Sequence, residues 1–363
     1  MRHTTTLAVI GLAGMMGAGL TACEKKTEPA EQAAPEASAP AKTPLELARE
    51  NAQAFAPLPT DWATPGQTKA QEDLGRMLYH DARLSKNHDV SCNSCHQLDA
   101  WGVDNLPTSP GHKKALGSRN SPTVYNAAGH SSQFWDGRAA DVEEQAKGPV
   151  LNPVEMAMPD EASVVRTLAS IPGYVDAFAR AFPGQEDPVT YDNFGRAVGA
   201  FERKLTTPSR WDAFLAGDDA ALTADELAGF NLFASSGCAG CHAGALVGGS
   251  GFQKVGAVKP WPNLSDHGRL EVTKDPAHDM IFKAPSLRNV ARTGPYFHDG
   301  SVDDLTVAVK MMGEHQLGLT LSDEDARLMV AWLETLTGQP DKEYIARPEL
   351  PASGPDTPAP DPS

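Results

Sequence analysis

SCNSCHQLDAWGVDNLPTSPGHKK, residues 91–114, holds a Cys-x-x-Cys-His run and, 16 residues beyond His96, a second histidine, His112, at the end of a Gly/Pro-rich loop. A Cys-x-x-Cys pair alone suits a redox dithiol or half a zinc site. The histidine directly after Cys95 narrows the choice: two thioethers hold the vinyl groups of a porphyrin, and the adjacent imidazole is delivered to the iron as an axial ligand. The run recurs as CAGCH at residues 238–242, so Cys92, Cys95 and His96 form one c-type haem attachment site and Cys238, Cys241 and His242 a second. Each is preceded by a helical pattern, DLGRMLYHDARLS before the first and ADELAGFNLFASSG before the second. Two covalently bound haem c groups, each in a small helical domain, are the expectation.

Length and composition agree. A chain of 363 residues is long enough for two domains with cores of their own. Aromatics make up only 7%, while Gly (32) and Pro (29) are abundant, which predicts long loops around a modest number of helices and a large cofactor filling core volume. Residues 1–22 read as a bacterial export signal, with Arg2 and His3 before an apolar stretch and then Leu20-Thr21-Ala22-Cys23, the form of a lipoprotein cleavage box. This predicts a lipidated Cys23, a periplasmic location and, from Glu24, anchoring to the outer membrane. Residues 23–44 lack bulky apolar side chains and read as a disordered tether, and 348–363 read as a disordered tail. With Cys23 assigned to lipid, the remaining four of the five cysteines fall into the two haem pairs. The formal charge is −16, or −17 once residues 1–22 take Arg2 with them. Such acidity disfavours nucleic acid and steers basic carrier proteins.

The sixth iron ligand separates an electron carrier from a catalyst. Downstream of the second haem stand Met280, Met311, Met312 and Met329; Met329 lies in an amphipathic stretch and reads as helix core, leaving Met311 or Met312 as a thioether ligand. The first haem has Met156 and Met158 far downstream, flanking an acidic PVEMAMPD, and His112 much nearer.

LGRMLYHDARLS, SCNSCH, DNLPTSPGH, RNSPTVYN, QFWDGRA, EQAKGPVLNPVEM, GCAGCH, APSLRNVARTGPYFHDG and MMGEHQLG occur in this order between about Gln71 and Gln339. In these the chain resembles the bacterial di-haem cytochrome c peroxidases. The resemblance implies a mainly α fold of two cytochrome c-like haem domains packed around a shared interface, 45–207 peroxidatic and 208–347 electron-transferring. It makes His96 the proximal ligand of a low-potential haem, His112 the distal ligand that leaves when the other haem is reduced, and His242 and Met312 the ligands of a high-potential haem. Trp135 would bridge the haems, and Glu155 and Gln145 would line the peroxide pocket, where heterolysis needs a group that moves a proton between the oxygens. Asn120 with the carbonyls of Thr293 and Pro295 would hold Ca2+, and His298 would lie near the haem propionates. Two positions depart from the pattern: Trp101 stands where small residues are usual and Ala82 where proline is common.

The expected activity is reduction of hydrogen peroxide to water with electrons from a small periplasmic cytochrome c, or a cupredoxin, after reductive activation by release of His112. Homodimers are common among such proteins. The alternatives are a di-haem electron carrier, for which 146 residues between the CxxCH runs is a long interval, and the related oxidase that matures a protein-derived quinone cofactor, which carries tyrosine where Met312 stands here.

Overall fold

The computed structural model describes residues 41–363; the export signal, Cys23 and nearly all of the tether lie outside the described residues. The fold is mainly helical, as the two haem-binding runs require. The helices start where the sequence supplies caps. Thr68 and Gln71 close a capping box at the head of α2 (Lys69–His80), Thr223 and Glu226 do so for α9 (Ala224–Ser235), and Ser322 and Asp325 for α12 (Asp323–Glu334).

Around these the chain builds two apolar cores. In the first, α2 crosses α7 (Tyr191–Glu202), flanked by α4 (Val142–Leu151), α5 (Glu161–Ala169) and α6 (Pro172–Ala181), and buries Leu74, Leu78, Tyr79, Phe178, Phe194 and Phe201. In the second, α9 crosses α12 around Trp211, Phe230 and Trp332, with α8 (Arg210–Leu215) and α11 (Leu305–Leu317) alongside. Both crossings depend on a glycine. A Cβ on Gly75 would overlap the Ala197 carbonyl of α7, and one on Gly229 the Leu328 carbonyl of α12. The two attachment runs form single turns, α3 (Cys92–Cys95) and a turn over Cys238–Gly240. A short helix α10 (Leu270–Thr273) and an antiparallel pair, β1 (Phe252–Lys254) with β2 (Ile281–Lys283), complete the regular elements. No helix among the described residues is long and apolar enough to cross a membrane.

The two lobes repeat one local design. At a constant interval, Asn126 and Asn289, Phe134 and Phe297, and Gly137 and Gly300 all take left-handed backbone, and the bridges Gln133 to Ala139 and Tyr296 to Val302 match. The repeat is reciprocal where the lobes meet. Asn120 N–H donates to the His298 carbonyl at 2.8 Å, and Lys283 N–H to the Trp135 carbonyl at 2.8 Å. The side-chain amides of Asn126 and Asn289 both donate to the hydroxyl of Thr207, at 2.9 and 2.8 Å.

The ends of the chain cross over, unlike the boundaries expected from sequence. Helix α1 (Pro44–Asn51), assigned above to the first domain, packs on α9: Asn51 donates to Asn231 at 2.9 Å, Asn231 donates to the Pro44 carbonyl at 2.8 Å, and Phe55 meets Trp211 and Phe230. Tyr344 and Ile345 return to the first core. Residues 348–363, expected to be disordered, form no helix or strand but run along the first lobe. Pro351 covers Gly173, Thr357 Oγ1 accepts from the Gly354 amide, and Asp361 N–H donates to the Lys86 carbonyl at 2.9 Å. Proline rings and backbone donors hold this segment where large apolar side chains are lacking.

Candidate haem-binding and active site

The first lobe opens into a cleft enclosing about 1230 Å³ of non-protein space, counting the part open to solvent, and bordered by Cys92, Cys95, His96, Trp135, Gln145 and Glu155. Every one of these was singled out in the sequence. Arg119, Phe134, Arg138 and Glu202 also border it and were not.

Two loops bring the polar groups together. Helix α4 ends at Leu151, and its last carbonyls are taken by the chain folding back: Met156 N–H donates to Pro149 O at 3.2 Å and Met158 N–H to Val150 O at 2.9 Å. Glu155 thereby borders the same cleft as Gln145 of that helix. Its Oε1 accepts from Asn152 Nδ2 at 2.6 Å. Burial pushes the Glu155 carboxyl above its ordinary range, against the opposing pull of Arg138 and of the Asn152 hydrogen bond. Met156 and Met158, one of which a pure electron carrier would need as ligand, are 3% and 7% exposed and belong to the core, and Met156 also borders the cleft.

The second loop carries His112. Its backbone N–H donates to the Glu155 carbonyl at 2.7 Å, and a Cβ at Gly111 would overlap Val154, so glycine is what lets the loops touch. Lys113 and Lys114 follow with φ of 56° and 59°. Left-handed backbone costs a non-glycine residue about 1–2 kcal/mol, so the turn after His112 is strained. The His112 side chain is buried, and neither ring nitrogen has a hydrogen-bond partner.

Haem is the group the CxxCH runs imply, and these residues fit it. Nδ1 of His96 and of His242 likewise closes no hydrogen bond of ordinary geometry, although the carbonyls of Pro122 and Pro285 lie beside the two rings, the usual second partners of an iron-ligating imidazole. Burial holds both rings below the usual histidine range, the neutral form a metal needs. The four thiols are free, as thioether formation requires.

Trp135 reaches from this cleft into the second lobe. Its indole N–H donates to the Asn120 carbonyl at 2.9 Å, and its ring packs with Met311 and Met312 against a small cluster of Trp261, Met280 and Phe282. Both methionines are half-buried there, so the structure does not choose between them. Met329 is buried in α12, as read. His298 stacks on Phe282 with ring centroids 4.3 Å apart, and its Nε2 has no partner. Trp101 is left-handed, donates its indole N–H to the Gly338 carbonyl at 3.0 Å, and lies under the Arg292 guanidinium. Asn120 is buried and donates to the carbonyls of Leu106 and Pro107 at 3.0 and 3.4 Å.

A mainly helical chain with two CxxCH runs in repeated lobes, one of which opens into a cleft beside its run, has the architecture of a di-haem protein. Residues 69–220 match the profile of the di-haem cytochrome c peroxidases. The cytochrome c551 peroxidase of Pseudomonas aeruginosa is 47% identical over 316 residues, covering 84% of this chain and 90% of that protein. The methylamine utilization protein MauG of Methylorubrum extorquens is 34% identical over 290 residues, covering 77% and 80%. Among solved structures, a MauG-like protein associated with microbial copper homeostasis superposes with a TM-score of 0.68 at 28% identity, covering 84% of this chain and 97% of that one. The chain belongs to the di-haem cytochrome c peroxidase family.

Proposed function

We propose that this protein reduces hydrogen peroxide to water at the His96 cleft with electrons from a small c-type cytochrome, and that His112 closes that cleft until the second haem is reduced. The observation that carries the reading is the pairing of the His112 and Glu155 loops over the cleft, with a buried imidazole that has no partner among protein groups. Burying such a group unpaired costs about 1–3 kcal/mol; an iron ligand bond would offset it, and the strained turn beside it favours release.

Haem bound through Cys92, Cys95 and His96 would supply the iron that binds peroxide and the electrons that split it, and haem bound through Cys238, Cys241, His242 and Met312 would receive electrons from the donor. The protein's own part is proton movement. Glu155, raised in pKa by burial, takes a proton from the near peroxide oxygen and returns it to the far one, which leaves as water. Gln145 orients the peroxide. Trp135, spanning cleft and second cluster, shortens the electron path. The net change is one peroxide, two electrons and two protons to two waters.

Export through residues 1–22, lipidation of Cys23 and a periplasmic place at the outer membrane complete the reading. Calcium at Asn120, Thr293 and Pro295 would meet oxygen donors of the right kind but no carboxylate, and among the described residues no group of three His, Cys, Asp or Glu gathers to hold a metal. Sedimentation with and without calcium tests both the ion and the pairing of two copies.

The deciding experiment uses haem-loaded protein and follows peroxide-dependent oxidation of ferrocytochrome c before and after one electron per molecule is added. Turnover only after that electron supports the gate, and His112→Gly should then turn over without it. Turnover in both states discards the gate, and none in either discards the peroxidase.

A further inference from the structure

On the same cleft, α7 ends in a carboxylate that the proposed reaction leaves unused. Glu202 is 4% exposed and borders the cleft beside Cys92 and Val198. The adjacent guanidinium does not pair with it: Arg203 turns instead to Glu143 of α4, Nε to Oε1 at 2.7 Å and Nη2 to Oε2 at 2.8 Å. Glu143 is itself pressed against α7 at Gly199, where a Cβ would leave it no room. The Glu202 carboxyl enters none of the side-chain hydrogen bonds of the described residues and faces the cleft, so a charge there would have no protein partner and little surrounding water.

Burial, and then the charge of Glu143, pushes this carboxyl up to about 8, against the weaker opposing effect of Arg203. The other groups facing it do not titrate nearby. Tyr79 of α2 is driven well above its ordinary value by burial. Cys92 of α3 becomes a thioether once a porphyrin is attached. Glu155 and Arg138 also border the cleft; Glu155 is hydrogen-bonded to Asn152 and, like Glu202, raised by burial, so the Glu202 variants separate its contribution.

We propose that Glu202 couples the redox state of the first haem to pH, its carboxylate taking a proton from solvent as the iron gains an electron from the donor and returning it on reoxidation. One electron and one proton enter together, and the site's net charge is unchanged. The electrostatic reason is general: an added negative charge in a poorly solvated cleft raises the affinity of a neighbouring carboxylate for a proton, and linkage makes that proton stabilise the reduced iron equally. Glu202 touches no reacting atom. It acts through the haem, setting how readily the low-potential centre accepts an electron at a given pH. The inference rests on reading the His96 cleft as a haem site.

The test is a spectroelectrochemical titration of the first haem in the holoprotein across neutral and mildly alkaline pH, for wild type, Glu202→Gln and Glu202→Asp. In wild type the midpoint should be flat near neutrality, where the carboxyl already holds its proton, and should fall at the alkaline end at up to about 59 mV per unit, a tenfold change in equilibrium per unit for one electron. E202Q should be flat over that window and higher in potential at its alkaline end, with the second haem unmoved. E202D should keep a pH-dependent segment and serves if the glutamine variant folds poorly. Reduced-minus-oxidised infrared spectra of wild type should gain a protonated carboxyl band that E202Q lacks. A wild-type slope retained in E202Q, or a flat wild type, overturns the proposal while leaving the haem site intact. Absence of haem mass on Cys92 and Cys95 would remove the underlying reading and the proposal with it.

Discussion

At the scale of single residues, the cleft sets one acid against its surroundings and uses the result. On the proposed reading Glu155 acts as a base, so its charged form is the active one, and burial moves that form to higher pH. Peroxide turnover should therefore fall on the acid side through a limb lying above the ordinary carboxylate range. Arg138 opposes the upward shift, so Arg138→Gln should move the limb higher still, while Glu155→Gln should lose about 10²–10⁴ in kcat with haem content unchanged; kcat/KM profiles against pH check both. Glu202 makes a separate statement about stability. Its folded pKa of about 8 exceeds the unfolded value near 4.3, so the native state holds the extra proton between them and loses stability as pH rises through that interval. E202Q should match wild type in urea midpoint near pH 4 and exceed it by pH 8, by on the order of a few kcal/mol at most. The family resemblance singled out His112, Gln145 and Glu155, and the last two border one cleft. Glu202 and Arg138 were not singled out, because their importance comes from burial and orientation, which no spacing reveals.

At the scale of elements, the helices were readable and their partners were not. Capping residues such as Thr68, Thr223 and Ser322 stand in the sequence directly before apolar periodicity, and the helices begin there. Nothing local tells α1 to join α9 rather than α2, since Ala48 and Phe55 would suit either core; the choice is made by Asn51 and Asn231, far apart in sequence. The tail, read from sequence as disordered, follows the first lobe through backbone groups and proline rings, anchors that leave no sequence pattern. The glycines at the crossings carry a sharper consequence. Gly75→Ala puts a methyl group into the Ala197 carbonyl where α2 and α7 touch, with no flexible side chain to yield. The helices must separate, at a cost of about 1–3 kcal/mol or more, and thermal unfolding followed at the first haem should shift well below wild type. Gly251→Ala, where a methyl group would meet nothing closer than the Gln253 side-chain amide at 4.0 Å, should leave it unmoved.

For the whole molecule, the relation between the lobes was legible only in part. The recurrence of CxxCH announced two haem sites, and the longer repeat, in which Asn126 answers Asn289, Phe134 answers Phe297 and Gly137 answers Gly300, keeps both the residue and its left-handed backbone, though outside the CxxCH runs and too sparsely to be noticed beforehand. That repeat converges on Thr207, in the stretch where the sequence suggested a boundary. Thr207, Asn126 and Asn289 are all fully buried, and one hydroxyl accepts from both amides. Thr207→Val keeps the shape and deletes the acceptor, stranding a buried donor from each lobe. At about 1–3 kcal/mol for each unmet group, the loss should total roughly 2–6 kcal/mol, whereas Thr207→Ser, which keeps the hydroxyl, should lose much less. Because the two donors belong to different lobes, calorimetry of T207V should show more than a lower midpoint. The lobes should unfold at separate temperatures, the reciprocal bonds at Asn120 and Lys283 being left to join them. If T207V and T207S melt alike, Thr207 is not the joint.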